Sequence, residues 1–96
     1  MLIPAERIFE TDQLIALFHP RPVYPTHILI VPRRAVADLL GLDPNDGALL
    51  GELLALVQKL IVDMDLDKSG YRIIINGGEY QEFPQLHFHL VSEVEQ

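Results

Sequence analysis

Apolar and polar positions alternate or cluster in a way that divides the chain into recognisable elements. Arg7-Ile8-Phe9-Glu10 and Leu14-Ile15-Ala16-Leu17-Phe18, separated by a Thr11-Asp12 turn, predict a hairpin at the start of a sheet. The second run is continuously apolar and belongs near the sheet centre. Between residues 19 and 25 three prolines remove backbone donors and restrict their neighbours, which predicts a stiff loop. Thr26-His27-Ile28-Leu29-Ile30-Val31 resumes as a buried strand and stops at Pro32. Arg33 to Leu40 is a candidate short helix. Tyr71-Arg72-Ile73-Ile74-Ile75 predicts a fourth strand, Asn76-Gly77-Gly78 a turn, and Glu79 to Pro84 a loop into a last strand over residues 85–91.

The strongest helical pattern lies over residues 44–64. Asp43 is placed to cap it, Pro44 suits a first helical position, and Asp46 lies near the positive end of the dipole. Leu49, Leu53, Leu56 and Leu60 form one apolar row; Leu50, Leu54, Val57, Ile61 and Met64 form a second beside it. That arc is wider than one sheet face needs, which predicts that a second copy of the chain covers part of the helix. The order β-β-β-α-β-β favours an antiparallel α+β sheet over a parallel one. Gly47 and Gly51, four apart in this helix, are compatible with a close helix approach but too few to decide it.

At 96 residues the chain forms a single domain over 1–96 with one modest core. A net charge of −7 argues against duplex nucleic acid or an anionic membrane as partner, because both are held by lysine and arginine. A small anion in a local pocket remains compatible with it. The chain has no cysteine, so disulfides, thiolate metal sites and cysteine nucleophiles are ruled out. No apolar run is long enough to span a bilayer, and the first residues carry no secretory pattern; the expected location is the cytoplasm.

Candidate chemistry concentrates in Gln85-Leu86-His87-Phe88-His89-Leu90-Val91. Read as a strand, it turns Leu86, Phe88 and Leu90 to the core and Gln85, His87, His89 and Val91 to the opposite face. Side chains two apart on one face stand roughly 6.6–7 Å apart, close enough for two imidazoles to share a phosphate or a metal ion. A neutral imidazole is a competent nucleophile towards phosphorus when one ring nitrogen is held by an acceptor and nearby donors stabilise the developing charge. Phosphate chemistry, a metal pair and an exposed histidine pair all satisfy this spacing. Asn76 before Gly77-Gly78 fits turn chemistry, and His27 on a buried strand fits a hydrogen-bonded core histidine. His19 reads as a loop residue, and Arg21 as a solvated arginine within reach of an anion.

The 85–91 stretch resembles the histidine triad, a strand of the form His-φ-His-φ-His-φ-φ with φ apolar, here with Gln85 in the first triad position. The resemblance extends over nearly the whole chain. Pro4 to Asp12 looks like the opening hairpin of the histidine triad nucleotide-binding proteins. Pro25-Thr26-His27-Ile28-Leu29-Ile30-Val31-Pro32 looks like their Pro-Thr-His strand, and Gly70 to Asn76 like the strand ending in a phosphate-contacting asparagine.

The resemblance implies a five-stranded antiparallel sheet with one long and one short helix, dimerised through the 44–64 helix into a ten-stranded sheet. It implies a nucleotide phosphoramidate or phosphoanhydride hydrolase, or a nucleotidyl transferase. His87 would form a covalent nucleotidyl-histidine, His89 would donate to phosphate oxygens, and His27 would orient the group. Gln85 completes the catalytic set, while Asn76, Gln81 and Glu82 make the expected ligand-binding set. No metal and no cofactor is required. The chain departs from the family pattern at Gln85, which cannot relay a proton, and at Glu82, which stands where a phosphate-contacting serine is expected. A ribose-binding aspartate is missing near His19-Pro20-Arg21. These departures motivate the alternative of a degenerate member that binds a nucleotide with little turnover. A His27/His87/His89 metal site is a third reading.

Overall fold

In the computed structural model, residues 6–95 are described; Pro4 and Ala5 of the expected opening stretch lie outside them. Five strands, β1 (Arg7–Glu10), β2 (Leu14–Phe18), β3 (Thr26–Pro32), β4 (Arg72–Ile74) and β5 (Phe88–Ser92), form one antiparallel sheet in the order β1-β2-β3-β5-β4. Helices α1 (Gly47–Asp63) and α2 (Leu66–Ser69) lie in sequence between β3 and β4. The α+β architecture with five antiparallel strands and one long helix is the expected one.

Register decides which residues share a face. Leu29 pairs with His89 and His27 with Val91 across β3 and β5, while Leu17 pairs with Leu29 across β2 and β3. Because strand side chains alternate, even-numbered residues of these strands point one way and odd-numbered residues the other. Leu14, Ala16, Ile28, Ile30, Phe88 and Leu90 form the even face, and all six are buried. They make one cluster with Leu49, Leu56, Leu60 and Ile61 of α1. Each large aliphatic side chain buried there contributes about 1.5–3 kcal/mol. The odd face has no such cover over His27, Leu29, His89 and Val91, which line a cavity instead.

Several boundaries differ from expectation, each for a local reason. Helix α1 starts at Gly47, not at Pro44, because Asp43 uses its carboxylate in a turn, accepting from the Asn45 N–H at 2.9 Å. Asp46 takes over as cap, accepting from the Leu49 N–H at 3.0 Å. The wide apolar arc is only half covered: Leu49, Leu56, Val57, Leu60 and Ile61 are buried, but Leu54 is 59% exposed. Between α1 and α2, Asp65 adopts a left-handed backbone (φ 57°), and α2 ends on Gly70 at φ 118°, a conformation only glycine adopts without strain.

No helix forms over Arg33 to Leu40; that stretch is an extended strap ending in a single 3-10 turn at Leu39–Gly41. Its backbone groups bond outward instead of within a helix. Pro32 O and Arg34 O accept from the Gln85 side chain, and Val36 O accepts from the Leu86 N–H at 2.7 Å. For the same reason β5 begins at Phe88, since residues 85 and 86 bond to the strap before the chain reaches the sheet.

Candidate active site

All four histidines of the chain, His19, His27, His87 and His89, carry odd numbers and lie on the open side of the sheet. They line a cavity of about 700 Å³ whose apolar floor includes Leu29, Val31, Ile74 and Val91. His27 and His89 are diagonal neighbours on adjacent strands, a separation that aromatic rings bridge. His27 Nε2 and His89 Nδ1 lie 2.8 Å apart, and the His87 and His89 ring centroids are 4.9 Å apart at 64°.

The hydrogen bonds fix the tautomer of every ring. In the loop over residues 19–25 the prolines at 20, 22 and 25 have no N–H, and two of the remaining donors point at histidines. The Arg21 N–H donates to His19 Nδ1 at 2.9 Å, and the Val23 N–H donates to His27 Nδ1 at 3.2 Å. A backbone N–H can only donate, so Nδ1 of each neutral ring is bare and the proton sits on Nε2. His27 therefore donates from Nε2 to His89 Nδ1, which leaves the His89 proton on its own Nε2. That Nε2–H is buried and has no protein partner among the described residues. His87 has the opposite tautomer: its Nδ1 lies 2.8 Å from Gln85 O, and a carbonyl only accepts, so Nδ1 carries the proton and Nε2 presents a lone pair. One nucleophilic nitrogen thus stands beside a histidine that offers an N–H.

Burial keeps the donor histidines neutral. His27 is lowered to about 4, first by desolvation and then by the nearby His19 and His89. Desolvation also lowers His89, reinforced by His87 and His19 and opposed by the Glu82 carboxylate. His19 is lowered for the same leading reason, with Glu82 again opposing.

A family model described as the HIT domain matches residues 2–96. The chain belongs to the HIT domain family. An uncharacterized HIT-like protein of Buchnera aphidicola is 34% identical over 93 residues, covering 95% of this chain and 83% of the relative. A crystal structure of a HIT family hydrolase from Legionella pneumophila superposes with a TM-score of 0.87 at 33% identity, covering 97% of this chain and 85% of that one. A histidine triad nucleotide-binding protein from Candida albicans superposes with a TM-score of 0.80 at 28% identity, covering 92% of this chain and 65% of that one.

Within this HIT domain the sequence-predicted residues separate into two groups. His27, His87, His89, Asn76 and Glu82 all line the cavity. Gln81 does not: its side-chain amide donates to Ala37 O and Phe83 O, both at 2.7 Å, and braces the loop. Gln85 borders the cavity, but its amide is engaged with the strap. Nε2 donates to Pro32 O at 3.1 Å and Arg34 O at 3.0 Å, while Oε1 accepts from the Val36 N–H at 3.3 Å. Its backbone carbonyl, not its side chain, is what touches His87.

His19 is the residue that sequence reasoning assigned to a plain loop. Its N–H donates to His27 O at 2.8 Å, extending the β2–β3 ladder by one step and placing its ring 4.3 Å from that of His27. No local sequence signal points to it, because the pairing of residue 18 with 28, which makes 19 with 27 the next pair outward, is set by the folded sheet. The three histidines whose nitrogens gather within 4.8 Å are accordingly His19, His27 and His89, a set that replaces His87 of the expected metal trio with His19.

Proposed function

We propose that this HIT protein is a nucleotide phosphoramidate or phosphoanhydride hydrolase, or a nucleotidyl transferase, that works through His87. The observation that carries the reading is the pair of opposed tautomers: a bare Nε2 on His87 beside an Nε2–H on His89. The His87 lone pair attacks the α-phosphorus. The new P–N bond forms as the bond to the leaving group breaks, and the leaving group departs with the bonding electrons. His89 donates its proton in a hydrogen bond to a non-bridging oxygen, where charge develops. The relay from the Val23 N–H through His27 holds that proton in place. Gln85 O shares the His87 Nδ1 proton and steadies the ring as it becomes positively charged. Water then cleaves the P–N bond and restores the histidine. Nucleotides as the ligand class draw support from the name of the Candida albicans neighbour and from an apolar-floored cavity large enough for a base and sugar.

A binding protein with little turnover is the second reading. The Gln85 amide favours it, since all its donors and its acceptor oxygen are committed to the strap and none is left to protonate a leaving group. Donor chemistry speaks against the metal reading. With Nδ1 of His19 and His27 accepting from the backbone, their Nε2 atoms carry protons instead of lone pairs. We further propose that α1, with Leu54 and Val62 exposed on it, is the surface through which two copies pair.

Incubation with an adenosine 5′-phosphoramidate, followed by product assay and intact-mass detection of an adenylyl adduct, tests the assignment. Turnover that persists with chelator present and disappears in His87→Ala supports the nucleophile. Tight binding with no product supports the binding protein, and loss of activity on chelation restores the metal.

A further inference from the structure

The cavity contains two groups for which the proposed reaction gives no role, and they bear on the charge of what it accepts. His19 has its Nδ1 occupied by the Arg21 N–H, so its Nε2–H is a donor with no protein partner among the described residues. Its ring lies 4.3 Å from that of His27, tilted by 35°, and 6.1 Å from His89 at 22°, nearly parallel to it. The second group is Glu82, which lines the same cavity and makes no ion pair among the described residues. Its carboxylate is close enough to both His19 and His89 to oppose the lowering of their pKa values. Among the described residues, Arg21 is the only lysine or arginine on the cavity wall.

We propose that His19 and Glu82 make the phosphate cradle charge-selective. His19 adds a second neutral N–H donor beside His89, and Glu82 opposes a second negative charge. The site therefore takes a phosphorus group carrying two substituents and one negative charge, an ester or amidate, in preference to a dianionic terminal phosphate. The physical basis is a balance. Two imidazole N–H groups and one asparagine satisfy the oxygens of a monoanion by hydrogen bonding without supplying a full positive charge. A dianion needs cations, and here the Arg21 guanidinium on the wall is countered by the Glu82 carboxylate, whose repulsion at short range is not fully screened. The proposal rests on the reading that a nucleotide phosphate occupies the site beside His87.

The test measures dissociation constants of adenosine 5′-monophosphate and its methyl ester at pH 8, where the second phosphate ionisation is complete. Wild type, Glu82→Gln and His19→Phe are compared, with melting temperatures recorded for each. In the wild type the ester binds about five- to tenfold tighter than the monophosphate. Glu82→Gln removes most of that preference by tightening the monophosphate. His19→Phe keeps a ring against His27 but loses the N–H, and weakens both ligands about tenfold with their ratio unchanged. Equal or tighter binding of the monophosphate to wild type, or a preference that persists in Glu82→Gln, overturns the charge selectivity while leaving the nucleotide reading intact. Unchanged affinities in His19→Phe overturn the role of His19 as a donor and leave it a support for His27. Failure of both ligands to bind wild type overturns the nucleotide reading and this proposal with it.

Discussion

The two faces of the sheet are made of alternate residues of the same strands, yet they do opposite work. On the even face, Ile28, Ile30, Phe88 and Leu90 are buried against α1, and their contribution is stability. On the odd face, His27, His89 and their neighbours keep an open cavity, and an N–H with no protein partner is left in it. The function proposed for this domain rests on the open face, while the packed face supplies stability.

Substitutions on the two sides can separate these roles. The largest effect is expected on the odd side. His87→Ala reduces turnover of an adenosine phosphoramidate on the order of 10⁴-fold or more and abolishes the adduct. Because His87 is only half-buried, chemical denaturation finds its stability within about 0.5 kcal/mol of wild type. Ile30→Ala on the even side does the reverse, costing about 2–5 kcal/mol in the same denaturation experiment. Its turnover per folded molecule remains near that of wild type. If both variants lost stability and activity together, the division between the faces would be wrong.

Acidification tests the neutral histidines. The folded pKa of His27 is depressed to about 4 from 6.5, so between those values the unfolded chain binds more protons than the folded one. Stability is therefore full above about pH 6.5 and is lost as pH falls towards 4. Denaturation midpoints measured from pH 7.5 to 4.5 should fall through this window, and His27→Gln should flatten the slope. The smallest effect is expected at the far end of the packed face. Asp46→Ala removes the α1 cap and costs about 1 kcal/mol, visible as a lower denaturation midpoint with turnover unchanged.

Much of this was legible in the chain. Strands and the long helix follow from local periodicity, and the two-residue repeat of Leu86, Phe88 and Leu90 against His87 and His89 assigned the core and the open side correctly. Boundaries were less legible where two local options compete. Asp43 and Asp46 are both able caps, and only the turn at Asn45 decides between them. The strap over residues 33–38 read as helix because its bonding partners, Gln85 and Leu86, lie some fifty positions away. Roles of polar side chains were the least legible. Gln81 and Gln85 are donors in any reading, but what they bond is set by segments distant in sequence.

By itself, then, the sequence determined the antiparallel α+β sheet, the core face, and the presence of two histidines side by side opposite that core. Periodicity and capping are local properties, and local properties are written in neighbouring residues. Tertiary structure alone decided that His19 joins His27 and His89, that His87 holds a bare Nε2 while His89 holds a proton, and that Gln85 serves the strap. Those outcomes depend on which backbone N–H or carbonyl meets each side chain across the sheet. Register and loop path set that meeting, and no short stretch of residues specifies either.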